Sequence, residues 1–276
     1  MNEDTIWTNY LKQFSELGAD AFRTSSKNSG KFCVIVEPRQ HPNLIPVIKN
    51  FMYLLQHTGW GLIVYHGPDN ESFVKNGLSH QHNVHYVRMA KPNLTTREYS
   101  AMLCNPMFWQ CLLDGFKCEH ALIFQCDTLL LKPIDSFLKY DYVGAPWPDG
   151  GMVAVLPPNN RRLQLTVGNG GLSLRNVRVM LAITHKYPYP SESGVPEDVY
   201  FSHWLKAHET EYWIPTREEA SAFAMEHVLN PDAAGLHAPS IAFKDECDAM
   251  IMRALAQMPM QQMPMQQMPM QQKNIK

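Results

Sequence analysis

Four short, largely apolar runs, at 31–37, 60–66, 84–89 and 121–124, alternate with segments of helical spacing, and this pattern limits the fold more than any other feature. Such runs are too short for buried helices and lack the strict in–out alternation of a strand with one wet face. They fit strands covered on both faces, as in parallel sheets. Between the first two, Leu44, Val47, Ile48, Phe51, Leu54 and Leu55 recur at helical intervals, and Gly59 supplies a stop. Segment 94–115 reads as one or two helices broken near Pro106. The order strand, helix, strand, strand, helix, strand predicts an α/β fold, a mixed but mainly parallel sheet flanked by helices.

After Leu131 the character changes: Pro, Gly and aromatic residues crowd 141–158, and only 176–186 and 196–208 read clearly as helices. The reading is a single domain over 31–245, with a regular half at 31–131 and a less regular half at 132–245. It is preceded by a peripheral segment, 1–30, with a helix near Trp7 to Phe14, and followed by a tail, 246–276. The tail holds three copies of Met-Pro-Met-Gln-Gln within 258–272. Proline every fifth residue forbids a regular helix, so the tail is expected to be flexible, either a neutral repeat expansion or a handle that docks a partner.

Composition narrows the function. A formal net charge of −2 argues against a protein that coats nucleic acid, which requires excess Lys and Arg. Cys33, Cys104, Cys111, Cys118, Cys126 and Cys247 include no CxxC pair, and the seven-residue steps from Cys104 to Cys118 suggest turns of one helix rather than a zinc cage. They are expected to be reduced thiols. The polar, acidic start lacks the features of a signal peptide, and no run of about 18 apolar residues offers a membrane span. The expectation is a soluble cytoplasmic protein.

Four segments could carry chemistry. Phe124-Gln125-Cys126-Asp127-Thr128 follows an apolar strand, which puts Asp127 at the carboxyl edge of the sheet, where open α/β folds bind ligands. There it suits a hard divalent cation such as Mn²⁺ or Mg²⁺ holding a diphosphate, with Gln125 offering a neutral oxygen from the same side of the strand. It would equally cap the next turn. Val167-Gly-Asn-Gly-Gly-Leu-Ser-Leu-Arg175 brings a glycine cluster either for close approach to a ligand or for a tight turn, then Leu172 and Leu174 alternating with Ser173 and Arg175, as in a strand with one wet face. Val195-Pro-Glu-Asp-Val-Tyr-Phe-Ser202 is a good helix start, and Asp198 or Glu197 also suits a base for an acceptor hydroxyl. Gly235-Leu236-His237 offers a late imidazole, either structural or completing a metal shell with Asp127.

In this order the segments resemble glycosyltransferase-like proteins of the GT-A (Rossmann-like) fold, in particular a group found in large DNA viruses, bacteria and fungi. The matching stretches are Leu122-Ile-Phe-Gln-Cys-Asp-Thr128, Asp141-Tyr-Val-Gly-Ala-Pro-Trp147, Gly168-Asn-Gly-Gly-Leu-Ser-Leu-Arg175 and Pro196-Glu-Asp-Val199. The resemblance implies transfer of a sugar from a nucleotide-diphosphate donor, UDP-linked, to a glycan or glycoprotein acceptor. It implies Glu37 and Arg39 beside the base and ribose, and Arg97 at the donor. Asp127 and His237 would be metal ligands, with Gln125 in place of the first acid of a DxD motif. Gly170, Gly171, Ser173 and Trp147 would line the sugar and acceptor, and Asp198 would be the base of an inverting reaction. A sugar-nucleotide-binding module without turnover is the alternative that the neutral Gln125 suggests.

Overall fold

The computed structural model describes residues 6–16, 29–79, 81–158, 160–239 and 242–258. Helix α1 (Ile6–Glu16) precedes β1 (Lys31–Val36), α2 (Leu44–Leu55), β2 (Gly61–His66), α3 (Glu71–Gly77) and β3 (Val84–Arg88). Then come α4 (Thr96–Leu103), α5 (Pro106–Gln110), a π-helical turn (Cys111–Gly115), β4 (His120–Phe124) and β5 (Thr128–Leu130). The second half holds β6 (Tyr142–Pro146), a hairpin of β7 (Met152–Leu156) and β8 (Arg161–Leu165), β9 (Val167–Asn176), α6 (Val177–Lys186) and α7 (Glu197–Ala207). It ends with α8 (Arg217–Phe223), β10 (Ala224–Met225), β11 (Gly235–His237) and α9 (Lys244–Gln257).

The central sheet runs β3-β2-β1-β4-β9-β6. Strands β3, β2, β1 and β4 are parallel neighbours, whereas β9 lies antiparallel to both β4 and β6. Alternate residues feed two cores. Cys33, Ile35, Leu62, Val64, Leu122, Phe124, Leu172 and Leu174 face α1, α2, α8 and α9. Phe32, Val34, Ile63, Tyr65, Ala121 and Ile123 face α4, α5, α6 and α7. Because both faces are covered, the parallel strands read as continuous apolar runs.

The same double covering corrects the expectation for β9. Ser173 and Arg175 are not on a wet face: both are fully buried. The Arg175 guanidinium lies 2.6 and 2.9 Å from the two Glu197 carboxylate oxygens and over the rings of Tyr142, Phe201 and Trp109. A charge with this partner and these rings can be sealed from water, although a lone one cannot.

Local chemistry sets the helix ends. Thr95 and Glu98 form a reciprocal capping box on α4, as do Thr216 and Glu219 on α8. Asn105 caps α5, its Oδ1 accepting from the Met107 amide, with Pro106 in the first helical position. That break separates the three cysteines expected on one helix: Cys104 closes α4, Cys111 opens the π turn and Cys118 follows it. All six cysteines are free thiols. Tyr10, Leu11 and Phe14 of α1 join the main core, and the expected tail boundary at 246 falls inside α9. The repeats beyond Met258 lie outside the described residues. Among the described residues no helix is long and apolar enough to cross a membrane.

Candidate active site

The strand order creates a crevice. The chain leaves β1 through α2, on one face, to reach β2, and returns to β4 through α4 and α5, on the other. The carboxyl ends of β1 and β4 therefore part, and such a switch point is where open α/β sheets take ligands. A cleft of about 410 Å³ lies there, bounded by Glu37, Arg39 and His41 after β1, by the segment Asn93 to Thr96, by Tyr99, and by Gln125 to Asp127 after β4.

On the β1 side, Glu37 grips Arg39 in a two-pronged contact at 2.8 and 2.7 Å and also accepts from its backbone amide. Burial works against the Glu37 carboxylate, but Arg39 outweighs it and holds the pKa below the usual value. Asn70 fixes this corner, donating to the carbonyls of Glu37 and Arg39. His41, whose pKa is lowered by burial, stands within the fields of Glu37, Arg39 and Asp127. A carboxylate, a guanidinium and an imidazole thus edge one cleft.

The β4 side is built by two very short strands. Strand β5 pairs antiparallel with β11, setting His237 opposite Thr128, and the Ala238 amide donates to the Asp127 carbonyl at 2.9 Å. His237 Nε2 consequently lies 3.8 Å from Asp127 Oδ1. The Asp127 side chain is 57% exposed and the His237 ring only 12%, so the carboxylate faces solvent while the ring is packed. Gln125 and Asp127 sit on the turn after β4 rather than within the strand, and both reach the cleft.

Beside the cleft, though not among the residues that line it, Gly170 and Gly171 form a wall between Asp198 and His237. A Cβ on Gly171 would overlap the His237 ring, and one on Gly170 would collide with Glu197 and Asp198. Glycine is required here by close approach. The Gly170 amide donates to Asp198 Oδ2 at 3.1 Å, and the Val199 amide to Oδ1 at 2.7 Å. Burial, and then the negative Glu197, raise the Asp198 pKa to about 6. Tyr99 joins this group to the cleft. Its buried hydroxyl lies in the fields of Glu197, Arg175 and Asp198 and beside Gln125.

Other expected residues take different positions. Glu197 is committed to Arg175, which leaves Asp198 as the carboxylate with capacity to act. Ser173 Oγ donates to the Gly170 carbonyl and accepts from Arg175, so it supports the glycine strand from beneath. Trp147 is buried under the β7–β8 hairpin with Ala154, Leu163, Leu165 and Val199, where a sugar cannot reach its ring face. Arg97 turns outward to Glu192 at 2.9 Å and does not line the cleft. Pro196 stands in the position just before α7, with extended backbone and no capping side chain, and Glu197 opens the helix. The sequence reading missed His41, Tyr99 and Glu226, the last lying 3.1 Å from His237 Nδ1.

The donor set fits a divalent ion in part. Two ligand atoms on one ion with bonds of about 2.1 Å lie at most about 4.2 Å apart, and the Asp127–His237 separation meets that limit. One oxygen and one imidazole nitrogen favour Mn²⁺ over Mg²⁺. Among the described residues no group of three or more His, Cys, Asp and Glu side chains is arranged around one metal position. An ion here would need further oxygens from a ligand or water.

Fold and site together define an α/β protein with an acidic–imidazole crevice at its sheet switch point. The profile of a family described as "Protein of unknown function (DUF5672)" matches residues 83–237, more than half of the sequence, and the chain belongs to that family. The match runs from the edge of β3 to His237, taking in Asp127, the glycine strand and Asp198 while leaving Glu37 and Arg39 outside it. No curated protein matches the chain.

Proposed function

We propose that the chain is a metal-assisted glycosyltransferase of the GT-A kind, moving a sugar, a hexose or pentose such as galactose, glucose or xylose, from a UDP-linked donor to a glycan or glycoprotein acceptor. The observation that carries this reading is an exposed carboxylate in the cleft, Asp127, facing the buried His237 imidazole and, across two glycines, a carboxyl group of raised pKa. Asp127 and His237 would hold the ion. When bound, it supplies positive charge to the departing diphosphate. Glu37, Arg39 and His41 edge the same cleft, and the first two would lie beside the base and ribose.

Asp198 is the base. Its pKa of about 6 leaves it mainly ionised at neutral pH yet more basic than an ordinary aspartate, which favours proton removal. The acceptor hydroxyl gives its proton to Asp198 as its oxygen attacks the anomeric carbon, and the sugar–phosphate bond breaks on the opposite face, inverting the centre. Such assistance is typically worth about two to four orders of magnitude in rate. The Arg175–Glu197 pair ties the start of α7 to β9 and so fixes where Asp198 stands.

The test is release of UDP from UDP-sugars with and without Mn²⁺. Metal-dependent release that is lost in Asp127→Ala supports the reading, and release indifferent to both sinks it. Gln125 favours a second reading, a sugar-nucleotide-binding module, because a neutral oxygen beside Asp127 contributes less charge to a metal site. Saturable donor binding without any metal-dependent turnover would select that alternative.

A further inference from the structure

Glu226 has no part in the reading above, yet the small sheet brings it beside His237. Strand β10 pairs parallel with β11, Ala224 with Gly235 and Met225 with Leu236, so the next step sets Glu226 beside His237. On the other edge of β11, His237 pairs with Thr128, one residue from Asp127. The three side chains therefore form a row across adjacent strands. Glu226 Oε2 lies 3.1 Å from His237 Nδ1, and His237 Nε2 points the other way, 3.8 Å from Asp127 Oδ1. The Glu226 side chain is only 8% exposed. Both Oε2 and Nδ1 are buried and complete no well-angled hydrogen bond, so each is the other's available partner. The second oxygen, Oε1, is directed to His227 Nε2 at 3.3 Å.

We infer that Glu226 is a positioning residue that holds the proton of His237 on Nδ1 and presents the lone pair of Nε2 to the crevice, toward a divalent cation shared with Asp127. The cation rests on the functional reading given above; the orientation of the ring does not. A neutral imidazole carries one N–H, and a buried carboxylate at Nδ1 draws it there, because an unpaired buried carboxylate is costly. Glycine at 171 leaves room for this ring, since a Cβ there would overlap its Nε2 and Cε1 atoms. Outer carboxylates of this kind typically change metal affinity by about 10- to 100-fold.

Two measurements on the full chain test the inference separately from the function. ¹⁵N spectroscopy of the His237 imidazole in metal-free protein, at a pH where the ring is neutral, should show Nδ1–H in the wild type. The same spectrum should show a mixed or reversed tautomer in Glu226→Ala. In titrations with Mn²⁺ alone and with Mn²⁺ plus UDP, Glu226→Ala should weaken binding about 10- to 100-fold. Glu226→Gln, whose amide oxygen still accepts, should lose less. The double variant Glu226→Ala/His237→Ala should bind no more weakly than His237→Ala. An Nε2–H tautomer in the wild type, an unchanged tautomer in Glu226→Ala, or multiplying losses in the double variant would overturn the assignment. A wild type with the expected tautomer but no Mn²⁺ affinity would leave the positioning intact and remove the metal from the proposed function.

Discussion

Replacing Asp198 with Asn separates the chemical role of this group from its cost to the fold. In the folded chain its pKa stands at about 6, raised first by burial and then by Glu197. The unfolded chain releases that proton at the ordinary aspartate value, about two powers of ten more readily. This difference corresponds to about 3 kcal/mol. The sign follows from proton counts. Between about pH 4 and pH 6 the folded state holds more protons at this site than the unfolded state, so its contribution to stability falls as pH rises and reaches its full penalty above pH 6. Asparagine does not titrate. It can accept from only one of the Gly170 and Val199 amides, however, which returns about 1 kcal/mol. Asp198 is half-buried rather than sealed, so solvent screening trims the gain further. Urea unfolding should therefore find Asp198→Asn close to wild type at pH 4.5 and more stable by about 1–2 kcal/mol at pH 7.5. Sugar transfer by the same variant should drop by about two to four orders of magnitude with donor binding retained. A stability difference that stays flat between these pH values would refute the electrostatic argument, and unaltered transfer would refute the role as base.

The remaining expectations concern neighbouring residues. Asp127→Ala should abolish Mn²⁺-dependent UDP release while shifting urea stability by no more than about 0.5 kcal/mol, since the side chain is largely exposed. Arg175→Met leaves Glu197 buried without its partner and should cost about 3–5 kcal/mol in urea unfolding; a loss below about 1 kcal/mol would mean water reaches the pair. Gly171→Ala should displace the His237 ring and weaken Mn²⁺ binding measured calorimetrically, with far-ultraviolet circular dichroism unchanged; unaltered affinity would show that the wall yields.

What the sequence disclosed follows from how much each element depends on its own residues. The parallel strands were legible because a strand covered on both faces carries its burial in a run of adjacent apolar residues, four each in Phe32 to Ile35 and Ala121 to Phe124. Asp127 was legible for the same reason, as the acid that follows such a run. Its contact with His237 was not. Strands β5 and β11 have three residues each, too few for a periodic signal, and the pairing joins positions far apart in the chain. Strand β10, with two, hid Glu226 altogether. Ser173 and Arg175 misled for a different reason. Arginine alternating with leucine ordinarily marks water on one side, and only α7, arriving with Glu197, makes burial affordable. Trp147 was misplaced because no pattern in 141–158 reveals that the β7–β8 hairpin folds back over it.

The glycine pair in β9 touches Asp198 through one residue and His237 through the next. The interval between the Asp198 carboxyl group and the His237 ring is therefore set by main chain, a rigid ruler with no rotamers of its own. Substitutions around the crevice can alter what is bound without stretching that interval, whereas any change that shifts this ribbon moves both groups at once. Efforts to change what the cleft binds belong on the loops that line it, such as Asn93 to Thr96, with the ruler left untouched.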